Sequence, residues 1–140
     1  MLKEMSILTF FFIGIPIFIA SIILFYVLWI NGYLIKHRKT AVLFVGVFRQ
    51  KGRGKIKFVS CNGYIKKVIK ISESRNYKFN FHSNITSGIV TAEIQDISKK
   101  ILLQVDENNP EAAINLDKNC RYYLVVRFKK ASGEFNLTWN

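Results

Sequence analysis

The sequence predicts a single N-terminal transmembrane α-helix followed by an all-β antiparallel sandwich of about eight strands. Three observations lead there. Residues 5–35 run without one charged side chain. Beyond Thr40 the apolar residues fall into short runs of period two, separated by Gly, Asn, Asp and Ser. No later stretch carries the three-and-four apolar spacing of an amphipathic helix.

Residues 1–4 form a short tail in which Lys3 and Glu4 cancel. Residues 5–35 form the helix, because lipid offers the backbone no hydrogen-bond partner and the chain must satisfy itself. At 1.5 Å rise per residue, about twenty apolar residues cross the hydrocarbon layer. The run is too long for the apolar core of a cleaved leader, and it ends in Trp29 and Tyr33, which read as membrane-interface anchors. An uncleaved signal-anchor is therefore expected, with Pro16 kinking its first third. Residues 36–40 read as a basic juxtamembrane flank. By the positive-inside rule alone, Lys36, Arg38 and Lys39 would hold the following domain in the cytoplasm.

Residues 41–140 are enough for one small domain with its own core. Ala41 to Phe48 reads as a buried strand. From Arg49 to Lys57 a base stands at every second position, which places Arg49, Lys51, Arg53, Lys55 and Lys57 on one face of an extended chain. Such a strip either binds headgroups or a polyanion, or protects an edge strand from unwanted pairing. Gly52 and Gly54 predict a turn or bulge within it. Strands follow over 64–71, 77–82 and 90–95, the last two separated by a turn at Ser87-Gly88. A hairpin turn at Asp96–Lys99 leads to a return strand over 101–105. Residues 106–110 (DENNP) are made of turn formers, and 111–116 form a short strand. Asp117–Asn119 turns into a long strand over 121–129. Ala131-Ser-Gly133 closes a hairpin, and 134–139 pairs back.

The chain carries 21 Lys and Arg against 9 Asp and Glu, a formal charge of +12. Eleven of the bases lie between Lys36 and Lys70 with no acid among them, whereas nine bases face eight acids beyond Ile71. The excess is juxtamembrane, so it points to membrane lipids or an anionic polymer and not to nucleic acid. The candidate anionic-surface residues are Lys36, Arg38, Lys39, Arg49, Lys51, Arg53, Lys55, Lys57, Lys66, Lys67 and Lys70.

Cys61 and Cys120 are too few for a disulfide framework; they are either two packed thiols or one bridge. No catalytic, cofactor-binding or metal-binding set is legible. His37 and His82 are the only histidines, no nucleophile or phosphate-loop motif is present, and Asp96, Asp106, Glu107 and Glu111 lack calcium-loop spacing. Tyr122, Tyr123 and Arg127 read as core strand and not as a base-stacking platform.

The pieces YKFNF, ITSGIVTAEIQD, ILLQV and RYYLVVRFKKASGEFNLTW resemble the small β-sandwich modules of secreted and membrane-anchored bacterial proteins, over roughly residues 70–140. The resemblance implies an A-S-G turn between the last two strands and a domain outside the cytoplasm, against the charge rule. It brings no site residues. The expected function is that of a non-enzymatic, single-pass membrane-anchored module. It would bind an anionic surface or ligand at the membrane or cell envelope. The alternative is an accessory subunit of a larger membrane complex, docking through the sheet onto a membrane protein partner.

Overall fold

The computed structural model describes residues 7–49 and 52–140. Its apolar N-terminus is helical from Ile7 to Ile30, and none of those residues is buried. A π-helical turn at Phe10–Gly14 leads into α1 (Ile15–Ile30). Pro16 stands just after that turn. Its ring excludes the carbonyl four residues back and it has no N–H to donate, and a widened turn accommodates both defects. The helix stops earlier than the hydropathy implied. Asn31 caps it, Gly32 (φ +75°) turns the chain, and Gly32 N donates to Trp29 O at 3.0 Å. Ile35–Thr40, expected as the end of the span and its basic flank, is instead β1, hydrogen-bonded to the sheet.

The remaining strands are β2 (Leu43–Arg49), β3 (Arg53–Ile69), β4 (Arg75–Gln95), β5 (Ile101–Asp106), β6 (Glu111–Leu116) and β7 (Tyr122–Trp139). All pair antiparallel. The order is β1-β3-β7-β4-β5, with β2 also on β3 and β6 also on β4. This connectivity describes one sheet doubled over on itself. A front layer holds β1, the second half of β3, the first half of β7, the second half of β4, and β5. A back layer holds β2 and β6 with the other halves of the three long strands.

The fold line is built from bulges. Register shifts interrupt β3–β7 between Phe58 and Gly63, and β4–β7 between Ile85 and Ile89. Ser60 (φ 50°), Lys130 (φ 46°) and Gly88 (φ +75°) supply the left-handed residues that turn each strand. Ser132 ties the line together, accepting at Oγ from Ser60 N (2.9 Å) and at its carbonyl from Thr86 Oγ1 (3.1 Å). Each bulge also inverts the facing. In β3 the inward residues are Ile56 and Phe58 before the fold line, then Cys61, Ile65 and Ile69 after it. β7 turns in Leu124, Val126 and Phe128, then Phe135, Leu137 and Trp139.

Among the described residues seven strands stand where about eight were expected: Ser87-Gly88 and Ala131-Ser-Gly133 are bends within β4 and β7 and not loops, which merges two expected pairs, and β1 adds one strand that was not expected. The A-S-G segment joins no two strands; β7 runs through it from one layer into the other.

The two layers close on one core of aromatic and branched side chains. Phe58 packs edge-on to Phe128 across the fold line (centroids 4.9 Å), and Phe81 stacks on Phe135 (5.2 Å). Both free ends of the folded sheet come together at the helix-bearing end. There Asn31, Ile69 and Trp139 line a common crevice, and Lys67 Nζ donates to Phe48 O at 3.4 Å.

Candidate functional site

The strongest constellation lies on the outer face of the front layer. Antiparallel registers place Arg38, Tyr64, Arg127, Thr91 and Asp106 in one row, and Lys36, Lys66, Val125, Glu93 and Gln104 in the next. Glu93 is the fixed point. Its carboxylate is only 6% exposed although it faces outward. Arg127 Nε donates to both of its oxygens (3.1 and 3.2 Å), and Gln95 Nε2 donates to one of them at 3.0 Å. The guanidinium is thus oriented by its inner edge. Its terminal N–H groups have no hydrogen-bond partner among the described residues, and the side chain is half-exposed.

Two cations of this face each stand beside an aromatic ring. The Arg127 guanidinium lies 5.9 Å from the Tyr64 ring centroid, and Lys66 Nζ sits 4.0 Å over the Tyr123 ring. Burial holds the Lys66 amine below its ordinary pKa, and the nearby charges of Lys99 and Lys36 push the same way. An open groove of about 400 Å³ runs beside the Tyr64–Arg127 pair, lined also by Asn62, Ile89, Thr91 and Lys129. A cation on a buried brace, a flat ring and neutral hydrogen-bonding groups suit an anionic, hydroxyl-rich ligand.

The bases singled out from sequence do not gather on one surface. Lys36, Arg38 and Lys66 belong to the front face just described. Arg49, Arg53, Lys55 and Lys57 form a strip on the outer face of the back layer, with Val45, Val47, Asn136 and Glu134 as cross-strand neighbours. Lys39 turns back against Phe44, its amine 3.5 Å from the ring centroid. Lys67 points into the end of the sandwich and is buried, which lowers its pKa. Lys70 donates to Asn31 Oδ1 at the helix end (3.3 Å). Lys51 lies outside the described residues. Trp29 stands in the last turn of α1 and Tyr33 just beyond it, 64% exposed.

The bridge between Cys61 and Cys120 is not formed; both thiols are free. Cys61 is buried beside Ala131 at the fold line, whereas Cys120 lies exposed before the start of β7. At about 3.3 Å per residue the strand between them keeps the two roughly 30 Å apart, far beyond the ~7 Å Cα separation a disulfide spans.

Sequence reasoning missed Tyr64, Glu93 and Arg127 as a unit. Alternation in β4 does put Thr91, Glu93 and Gln95 outward, but nothing local says that Glu93 faces Arg127, 34 residues away. In β7 the consecutive Val125 and Val126 blur the period, because Val125 is 2% exposed on the outer face.

The fold defines a β-sandwich module carrying an N-terminal apolar helix. No family model and no curated protein matches this sequence. Among solved structures, TmCBM61 in complex with β-1,4-galactotriose aligns with a TM-score of 0.51 at 11% identity, covering 79% of this chain and 90% of that one. A carbohydrate-binding module from Cellvibrio mixtus lichenase 5A, in complex with cellotriose, aligns at 0.41 and 10% identity over 77% and 94%. The enzymatically active domain of bacteriophage CBA120 tailspike protein 4 aligns at 0.47 and 8% identity over 76% of this chain; this chain spans 19% of that domain. The likeness to TmCBM61 shows the shared β-sandwich fold, and at 79% of this chain it covers more than the length of residues 70–140.

Proposed function

We propose that this protein is a non-enzymatic, membrane-anchored binding module. In this reading its front face takes an anionic, hydroxyl-rich polymer of the cell envelope. The observation that carries the proposal is the Glu93-braced Arg127 beside Tyr64, opening onto a groove of about 400 Å³. The sandwich fold shared with a galactotriose-bound module supports a glycan as the ligand class. The excess of Lys36, Arg38, Lys66, Arg127 and Lys129 over Glu93 and Asp106 on that face adds the preference for negative charge. The helix from Ile7 to Ile30 anchors the module as a single span, with the sandwich on the extracytoplasmic side.

The test is binding by the full chain in lipid nanodiscs to polygalacturonate, with uncharged β-1,4-galactan as the comparator. Polygalacturonate should bind in a salt-sensitive way. Arg127→Ala should weaken it about tenfold or more, the worth of a charge-assisted hydrogen bond. Glu93→Gln should weaken it less, because it only loosens the brace. Affinity indifferent to both salt and Arg127→Ala would overturn the reading. Protease accessibility of the sandwich in intact cells checks the side of the membrane; protection until lysis would place it inside.

A second reading, an accessory subunit docking through the sheet, draws on β2. This edge strand exposes Val45 and Val47 at 61% each, and among the described residues its only strand partner is β3. A stoichiometric membrane partner lost on Val45→Lys would favour it.

A further inference from the structure

The ligand groove leaves the helix-bearing end of the sandwich unused. That end consists of the turns 70–75, 96–100 and 117–121 and the Arg49–Arg53 pair at the closed end of the β2–β3 hairpin. Among the described residues it holds eight Lys or Arg against Glu73, Asp96 and Asp117. The fold-line end is basic too, but its bases share rows with the ligand groove: Arg38 and Arg127 stand in the row of Asp106, and Lys129 faces Ile89.

The same end carries an exposed apolar tip. Ile97, at the apex of the β4–β5 turn, is 72% exposed. Its turn is braced and does not fold it inward. The Asp96 carboxylate accepts from Ser98 Oγ (2.6 Å) and Lys100 N (2.9 Å), while Lys99 N donates to Asp96 O (3.1 Å). Beside Ile97 an open groove of about 690 Å³ is lined by Leu102 and Tyr122, with Arg121 at its rim.

The path from α1 fixes what lies opposite this end. A Cβ on Gly32 would stand 2.4 Å from Val68 O, so the chain leaves the helix directly against the last rows of the front layer. Val68, Tyr123 and Gln95 form one such row, and the β4–β5 turn begins at the next residue. Only residues 31–34 separate α1 from β1, a reach of at most about 14 Å. Headgroup charge acts over roughly 8 Å at physiological salt, so the basic turns are tethered at the edge of that range.

We propose that the helix-bearing end of the sandwich docks on the bilayer from which α1 emerges. Ile97 enters the interfacial layer, and the phosphates of anionic lipids lie among Lys99, Lys100, Lys118 and Arg121. None of these five residues belongs to the set picked out from sequence. Docking fixes the tilt of the domain and leaves the front-face groove open to a ligand. The inference rests on α1 spanning the bilayer, as in the proposed function.

The test uses the full chain with Cys120→Ser, so that a polarity-sensitive label reacts only at an introduced cysteine. Ile97→Cys reports on the tip, and Glu107→Cys on the far end. The chain is reconstituted in vesicles of phosphatidylcholine alone or with phosphatidylglycerol. The label at 97 should shift to the blue and be quenched by lipids brominated near the headgroup, in phosphatidylglycerol vesicles only, while the label at 107 stays water-like. Charge reversal by Lys99→Glu with Lys100→Glu should undo the shift. A label at 97 as water-exposed as that at 107, in protein that resists alkaline carbonate extraction, overturns the docking alone. An equal shift in both vesicle types overturns the role of the basic residues. Extraction by carbonate overturns the span on which the docking rests.

Discussion

Gly88 is the residue on which the doubled sheet can be tested most directly. It sits on the fold line of β4 at φ +75°, facing the bulge of β7. A methyl group there would lie 2.3 Å from Lys130 O and 2.4 Å from Lys129 O, both backbone atoms that cannot swing aside. Gly88→Ala therefore carries two costs. Holding an L-residue in the left-handed region costs roughly 1–2 kcal/mol. Pushing two carbonyls apart in a packed sheet costs about 1–3 kcal/mol more. A total near 3 kcal/mol is a large share of the ~5–15 kcal/mol that holds a domain folded. By the usual scaling it should lower the melting temperature by roughly 10 °C or more. The assay is thermal unfolding of the full chain in detergent micelles, followed by the far-ultraviolet strand signal. Ser87→Ala, an exposed neighbour on the same bend, is the control and should stay within about 0.5 kcal/mol of the parent. If Gly88→Ala melts with that control, the strand does not turn tightly against β7 at this point and the fold-line account fails.

Two further outcomes follow from buried groups. Cys120 should react with a thiol reagent in the folded protein while Cys61 stays protected. Burial raises the Cys61 thiol above its ordinary pKa, only partly offset by the charge of Lys39, so its thiolate is scarce as well as shielded; equal labelling of both would contradict the burial. Lys67 is buried and its pKa is lowered, so the unfolded chain binds more protons and stability must rise as pH climbs from the folded pKa toward the unfolded value near 10.5. Lys67→Met should flatten that alkaline rise relative to the parent and leave neutral-pH stability unchanged or higher by about 1 kcal/mol; denaturant unfolding across that pH range is the check, and an unchanged rise would show that the amine is solvated.

The period-two pattern made most of the strands legible. Tyr77, Phe79 and Phe81 point inward as their alternation required, and so do Val90, Ala92 and Ile94. The turns at Asp96 and Asp117 carry the side-chain to backbone hydrogen bonds that their sequences advertise. What stayed hidden was continuity. A bulge with a left-handed residue inverts the facing of a strand, and a true turn between two strands leaves the same mark in a sequence. Gly88 and Gly133 therefore looked like hairpin signals although both lie inside single strands. The end of the helix was misread for a different reason. Hydropathy continues through Leu34 and Ile35, but Asn31-Gly32 is a capping pair, and backbone geometry outranks apolarity there. The candidate site was hidden because it is assembled across strands: Tyr64, Glu93 and Arg127 lie on β3, β4 and β7, and only the register brings them together.

The route of the chain out of the helix also sets how the domain would carry load. Tension from a polymer held on the front face would reach the membrane through Gly32 and the start of β1. β1 is an edge strand, paired with β3 from Ile35↔Lys67 to Thr40↔Asn62, and it continues over the fold line into β2. A pull at Ile35 runs along that strand, so its cross-strand hydrogen bonds are strained together in shear and are not peeled one at a time. The β1–β2 segment is also hooked over the far end of the sandwich, where it must drag β2 off β3 before it can slip. A module held through α1 in this way would resist being pulled off it, and its rupture would be governed by the rate of unfolding and not by its equilibrium stability.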